Sequence, residues 1–239
     1  MKLDQSNSCR GTSIHSCSNE CEWGLNMNIL DRVTWNEVIE HYSDRLEIHH
    51  NLERLFVSGS VDRFVRLALG ISDKNGNYSA HEHGLGPRVL SSNPKAIERV
   101  FRIIGQFRAL SDGKMVPDLV QGAQLSYFKI GVGSEASCMI NPRHCWVTNT
   151  RSLWTFLLDK HDGNFSKANE ELKLYRDNDD RSEMHYKIWK TLHLPLKNFL
   201  SNLCDRSEDA AKQNGVSRGE IRYLWADCVA NWLYAAHHE

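Results

Sequence analysis

Residues 217–233, SRGEIRYLWADCVANWL, decide the fold class. Ser217-Arg218-Gly219-Glu220 has the form of a capping box, in which an N-cap Ser and a Glu three residues on satisfy the first N–H groups of a helix. From there Ile221, Leu224, Trp225, Cys228, Trp232 and Leu233 recur at helical spacing, so one apolar face is expected. The same signature recurs outward along the chain. Met184, Ile188 and Leu192 form a stripe that Pro195 ends or kinks. Leu172 and Tyr175 belong to another helix. Thr148 or Thr150 can cap a helix through His161, with Gly163 beyond its end. Nearer the start, Thr34-Trp35-Asn36-Glu37 is a second capping box, followed by Val38, Ile39, Tyr42, Leu46 and Leu52. Ser60 opens a short helix closed by Gly70. Asn93-Pro94 reads as N-cap and first helical residue, ahead of Ile97, Val100, Phe101, Ile104 and Phe107.

The expected fold is therefore mainly α: a single helical domain over residues 27–239, with room for one small β element near residues 124–132. There Leu125, Tyr127, Lys129 and Gly131 alternate with Ser126, Phe128 and Ile130. Periodicity does not separate a strand from a helix in so short a run. Residues 71–93, with Asn75, Gly76, Asn77, Gly84, Gly86 and Pro87, are the main loop candidate. Residues 1–26, rich in Ser, Asn and Cys and without periodicity, are expected to form a flexible arm.

Composition sets outer bounds. With 29 Lys and Arg against 30 Asp and Glu, the formal net charge is -1, which excludes a strongly basic nucleic-acid coat and an acidic tail. Hydrophobic residues at 41% and charged residues at 25% exclude wholesale disorder. No run of 18 apolar residues exists, so no membrane partner is expected. The cysteine count, seven, is odd, and the arm has no apolar signal core. Both favour a reducing, cytoplasmic setting over a secreted disulfide scaffold.

The strongest functional pattern is residues 207–224, SEDAAKQNGVSRGEIRYL, which resembles the helix-turn-helix signature over this window. Ala210 and Ala211 take the small positions where two helices cross, and Gly215 takes the turn. Val216, Ile221 and Leu224 take the apolar positions. Ser217, Arg218, Arg222 and Tyr223 would then face DNA, with residues 195–239 as the reading unit. Asn214 at an apolar position, Gly219 at the helix start and a local excess of acidic residues run against it. A second basic feature is the face carrying Lys95, Arg99 and Arg102, spaced to neutralise phosphates from one side of a helix. The leading expectation is thus a nucleic-acid-binding or regulatory protein, such as a subunit of a nucleoprotein assembly.

Two other classes stay open. In extended chain, His81 and His83 would point the same way and share a divalent metal, completed by Asp118, His144 or Asp73, giving a metal-dependent hydrolase or transferase. Alternatively the chain is a helical interaction module with a protein partner or a second copy of itself. Weaker patterns have simpler readings. Cys9, His15, Cys17 and Cys21 lack the paired spacing of a zinc module. Cys138, His144 and Cys145 suit a buried turn better than a nucleophile pair. Gly131-Val132-Gly133-Ser134-Glu135 lacks the ending of a phosphate-binding loop and reads as a glycine turn. Asp177-Asn178-Asp179-Asp180 lacks the glycine and the distal Glu of a calcium loop. Trp154, Trp189, Trp225 and Trp232 are expected to anchor the core.

Overall fold

Every regular element among the described residues is helical, and no strand forms. The structure, a computed structural model, describes residues 27–176 and 183–237. The arm with Cys9, His15, Cys17 and Cys21, and the Asp177–Asp180 connection, lie outside them. A 3-10 turn, Met27–Arg32, leads into α1 (Trp35–Val57), α2 (Val61–Ala68), α3 (Ser79–Glu82), α4 (Leu85–Ser91) and α5 (Ala96–Arg108). After a short 3-10 turn come α6 (Val116–Ala123), α7 (Ile130–Ile140), α8 (Thr150–Lys160), α9 (Phe165–Arg176), α10 (Glu183–Gln213) and α11 (Arg222–His237).

The centre of the fold is α11, packed against α1, α8 and α10, with α7 beside it. Residues Tyr223 to Asn231 of α11 are all buried, and so are Val132 to Ile140 of α7. A helix with one apolar stripe would leave half its surface wet. Here the polar side of α11 is buried as well, because Asp227 pairs with the fully buried Arg45 of α1 at 2.7 Å. Asn231 donates to Asp227 in turn. Trp225 stacks on Trp35 at 6.1 Å and donates its indole N–H to Ser207.

Four local expectations shift. The β element near 124–132 is replaced by a turn that runs into α7. Gln124 and Tyr127 adopt left-handed φ values of 49° and 65°, which break an extended path, and the N–H of Phe128 donates to the Leu125 carbonyl. Asn93 does not cap α5. Its amide donates to the carbonyls of Val89 and Ser126 and its oxygen accepts from the Ser126 N–H, so it clips α4 to that turn. Asn149, between the two candidate threonines, caps α8 in a full capping box with Ser152. Pro195 sits inside α10 without ending it.

Candidate functional site

The start of α7 builds the site. Lys129 holds an extended backbone and no side chain caps the helix behind it. The first N–H groups of an α-helix have no partner within the helix, and those of Ile130, Gly131 and Val132 belong to residues that line a cleft of about 380 Å³. This is within the size range of small-molecule sites. Three chemistries meet in it. Ser79, Asn149 and Arg151 make a polar floor, Lys129 and His83 add basic groups, and Tyr127, Tyr175, Trp189 and Tyr234 supply aromatic walls.

The floor is fixed from behind. Ser79 donates its backbone N–H and hydroxyl to the two carboxylate oxygens of Glu135, each at 3.0 Å. Asn149 donates to the same hydroxyl at 3.3 Å. Glu135 is 1% exposed, and burial pushes its carboxyl above the ordinary range, while Arg45 and the Ser79 donors draw it back. Arg151 donates to Glu82 and to Asn231 Oδ1. Asn231 leads to Asp227 and so to Arg45. Behind the floor, burial first and then Arg45 and Arg151 push His41 down to about 3.

The cleft's charge is unbalanced. Among the described residues its one carboxylate, Glu82, is taken by Arg151. Lys129 is exposed and has no hydrogen-bond or ionic partner among the described residues. Arg88 stacks over the Tyr127 ring at 4.2 Å. Gly131 sharpens the picture. A Cβ built there meets nothing within 4 Å, whereas one on Gly133 would sit 2.3 Å from Val120. Gly133 is needed for α6 to approach α7; Gly131 has no packing reason to be glycine. Glycine in a helix costs about 1 kcal/mol relative to alanine, and a bare backbone suits close approach of a ligand.

The other candidate residues fall elsewhere. Ser217 and Arg218 lie in the connection before α11, not on a helix. Arg218 donates to Glu208 at 2.9 Å. Arg222 is clamped by Asp205 and the Ser201 carbonyl, and Tyr223 is buried. Tyr223 to Asn231 of α11 are all buried, so the first turns of that helix, where a reading face would start, are enclosed. On α5, Arg99 donates to the carbonyls of Ala123 and Gln124 and so closes the end of α6. Arg102 and Lys95 are exposed, Lys95 with a left-handed backbone ahead of the helix.

His81 and His83 do not lie in extended chain. α3 is helical, which turns successive alternate side chains away from each other. His81 contacts the Gly70 carbonyl at 3.3 Å while His83 lines the cleft. Asp73 is used by the Asn75 and Asn77 amides, and Asp118 pairs with Lys190. Among the described residues no group of three or more His, Cys, Asp or Glu is arranged to hold a metal ion. Cys138 is fully buried and its thiol is pushed well up by burial; Cys145 is pushed up to about 12 by the same cause. His144 is exposed. Gly131 to Glu135 form the first turns of α7 and not a glycine turn between segments.

No family model, no curated protein and no solved structure matches the chain. The cleft is therefore read from its own chemistry. Sequence reasoning passed over Lys129 and the Tyr127 wall, although the signal was present: a Lys and a Gly flank Ile130 directly ahead of a buried run.

Proposed function

We propose that the protein binds a small anionic molecule, with a phosphate or carboxylate at the start of α7 and an apolar or aromatic part against the tyrosine wall. The observation that carries this reading is Gly131, a helical glycine with open space where its Cβ would be, beside Lys129, which has no ionic partner among the described residues, in a cleft whose described lining holds no free carboxylate. The preformed floor of Ser79, Asn149 and Arg151 supports recognition over a mobile surface contact. The four described cysteines, all free and buried, support a reducing, cytoplasmic setting. No described helix is long and apolar enough to cross a membrane.

The test is calorimetry and thermal shift with inorganic phosphate, a nucleoside, its monophosphate and an aromatic carboxylate. The monophosphate or the carboxylate should stabilise the protein more than the uncharged nucleoside. Lys129→Gln should weaken that binding about tenfold or more, in keeping with a charge-assisted hydrogen bond. Gly131→Ala should raise the melting temperature of the free protein and lower its affinity. A panel in which no anion binds, or in which neither substitution changes affinity, overturns the reading.

A further inference from the structure

A second concavity, of about 730 Å³, opens at the elbow between α1 and α2. Gly59, at φ 67°, turns the chain there. The turn brings Arg54, from the last turn of α1, to the same groove as Arg63 and Arg66, which stand three apart on α2. Residues so spaced share a helix face. Leu55 and Leu67 form part of the floor, and Ser58, Ser60 and Ser72 add hydroxyls.

The charges are not balanced locally. Asp62 accepts from Arg66 at 2.8 Å. Arg54 donates only to the Asn51 amide oxygen, and Arg63 has no polar partner among the described residues. The nearby Glu53 is taken by the forked guanidinium of Arg108, whose Nε and Nη2 each donate at 2.9 Å. A chain with net charge -1 thus gathers two uncommitted guanidinium groups on one concave face. The planar fork of arginine matches phosphate oxygens two at a time.

The groove lacks the means to read bases. No aromatic residue among the described residues lines it. Of the two rings adjacent in sequence to lining residues, Phe64 is fully buried and Phe56 is stacked on Phe101 at 5.3 Å and covered by Arg108. A lone phosphate would fill little of so large a space. We propose that this groove holds the phosphate backbone of a nucleic-acid strand without regard to sequence. The proposal moves nucleic-acid contact away from the α10–α11 connection, whose arginines are occupied by Asp205 and Glu208.

The experiment is fluorescence anisotropy with a labelled mixed-sequence single-stranded oligonucleotide across a salt series. Binding through the two uncommitted guanidinium groups, one phosphate each, should fall with a log–log slope of about -1.4, given roughly -0.7 per phosphate on single strands. Arg63→Gln should weaken all sequences alike and flatten the slope by about 0.7. Arg54→Gln/Arg63→Gln should remove most of the binding, and Arg63→Glu should do so with a single exposed change if the double variant folds poorly. Arg222→Gln should leave binding as it was. No binding at low salt overturns the proposal, as does binding that these groove variants do not weaken. Displacement of the oligonucleotide by an equal concentration of inorganic phosphate would reduce the groove to a free-phosphate site. Sedimentation with phosphatidylserine vesicles, without oligonucleotide binding, would assign it to a lipid surface.

Discussion

His193 is held between two fixed partners. Its Nδ1 meets the Thr148 hydroxyl at 2.6 Å, its Nε2 meets the Gly113 carbonyl at 3.0 Å, and its ring stacks on Trp146 at 4.4 Å. A carbonyl only accepts, so Nε2 carries the proton and Nδ1 accepts from threonine. The neutral ring is fully satisfied. Burial pushes its pKa down to about 4 from 6.5, against the upward pull of the Gly113 carbonyl and Asp112. The unfolded chain binds a proton below pH 6.5 that the folded chain refuses until near pH 4. Stability from this group is thus complete above pH 6.5 and is lost as pH falls towards 4, at about 1.4 kcal/mol per pH unit. Denaturant unfolding at several pH values should show His193→Gln with a shallower slope across that window, by about one proton. An unchanged slope would mean that the ring is charged in the folded protein.

At the scale of elements, the connection into α11 is set by contacts far away in sequence. The Ser217 capping box predicts a helix start at residue 218, yet α11 begins at Arg222. The Tyr42 hydroxyl accepts the N–H of Ile221 at 3.1 Å, which relieves the helix end without Ser217. Gly219 lies directly on that ring, where a Cβ would come 2.3 Å from Tyr42 Cζ. Tyr42 is itself wedged edge-on against Trp225 at 5.9 Å, so it has little freedom to move aside. Gly219→Ala should therefore cost about 1–3 kcal/mol by overpacking, measurable as a lower denaturant midpoint. Gly215→Ala has open space and is strained only by its φ of 75°, which costs about 1–2 kcal/mol. The helices themselves were legible because their apolar spacing is a local property. Their starts were less so at Asn93, Thr148 and Ser217, where a side chain or hydroxyl elsewhere decides which N–H is satisfied. The cleft was half legible for the same reason. Gly131 stood out in sequence, but only α6 packed on Gly133 and open space above Gly131 tell a structural glycine from a bare one.

Across the whole molecule, Arg45, Asp227 and Glu135 join α1, α11 and α7 around one buried charge cluster. Burial alone would pull Arg45 down, but Asp227 together with Cys228, Glu135 and Cys138 more than offsets it and keeps the guanidinium charged. Removing one partner leaves the other charge buried and unpaired, so Asp227→Ala should cost about 3–5 kcal/mol. Replacing both, as in Arg45→Met/Asp227→Leu, should recover most of that loss, because buried pairs repay little beyond their own desolvation. The cleft gives the cluster a second role that stability does not measure. Arg151 is anchored by Asn231, which is oriented by Asp227, and Ser79 is anchored by Glu135. In the double variant Asn231 keeps its bond to the residue-227 carbonyl but loses its carboxylate partner, so the Arg151 guanidinium is held less firmly from that side. We expect the double variant to melt near the wild-type temperature and still bind the phosphate or carboxylate probe several-fold more weakly. If affinity recovers along with stability, the ion pair serves packing alone and the cleft is held by Glu82 and Glu135. If neither recovers, the hydrophobic pair does not fill the space that Arg45 occupies between α1 and α11.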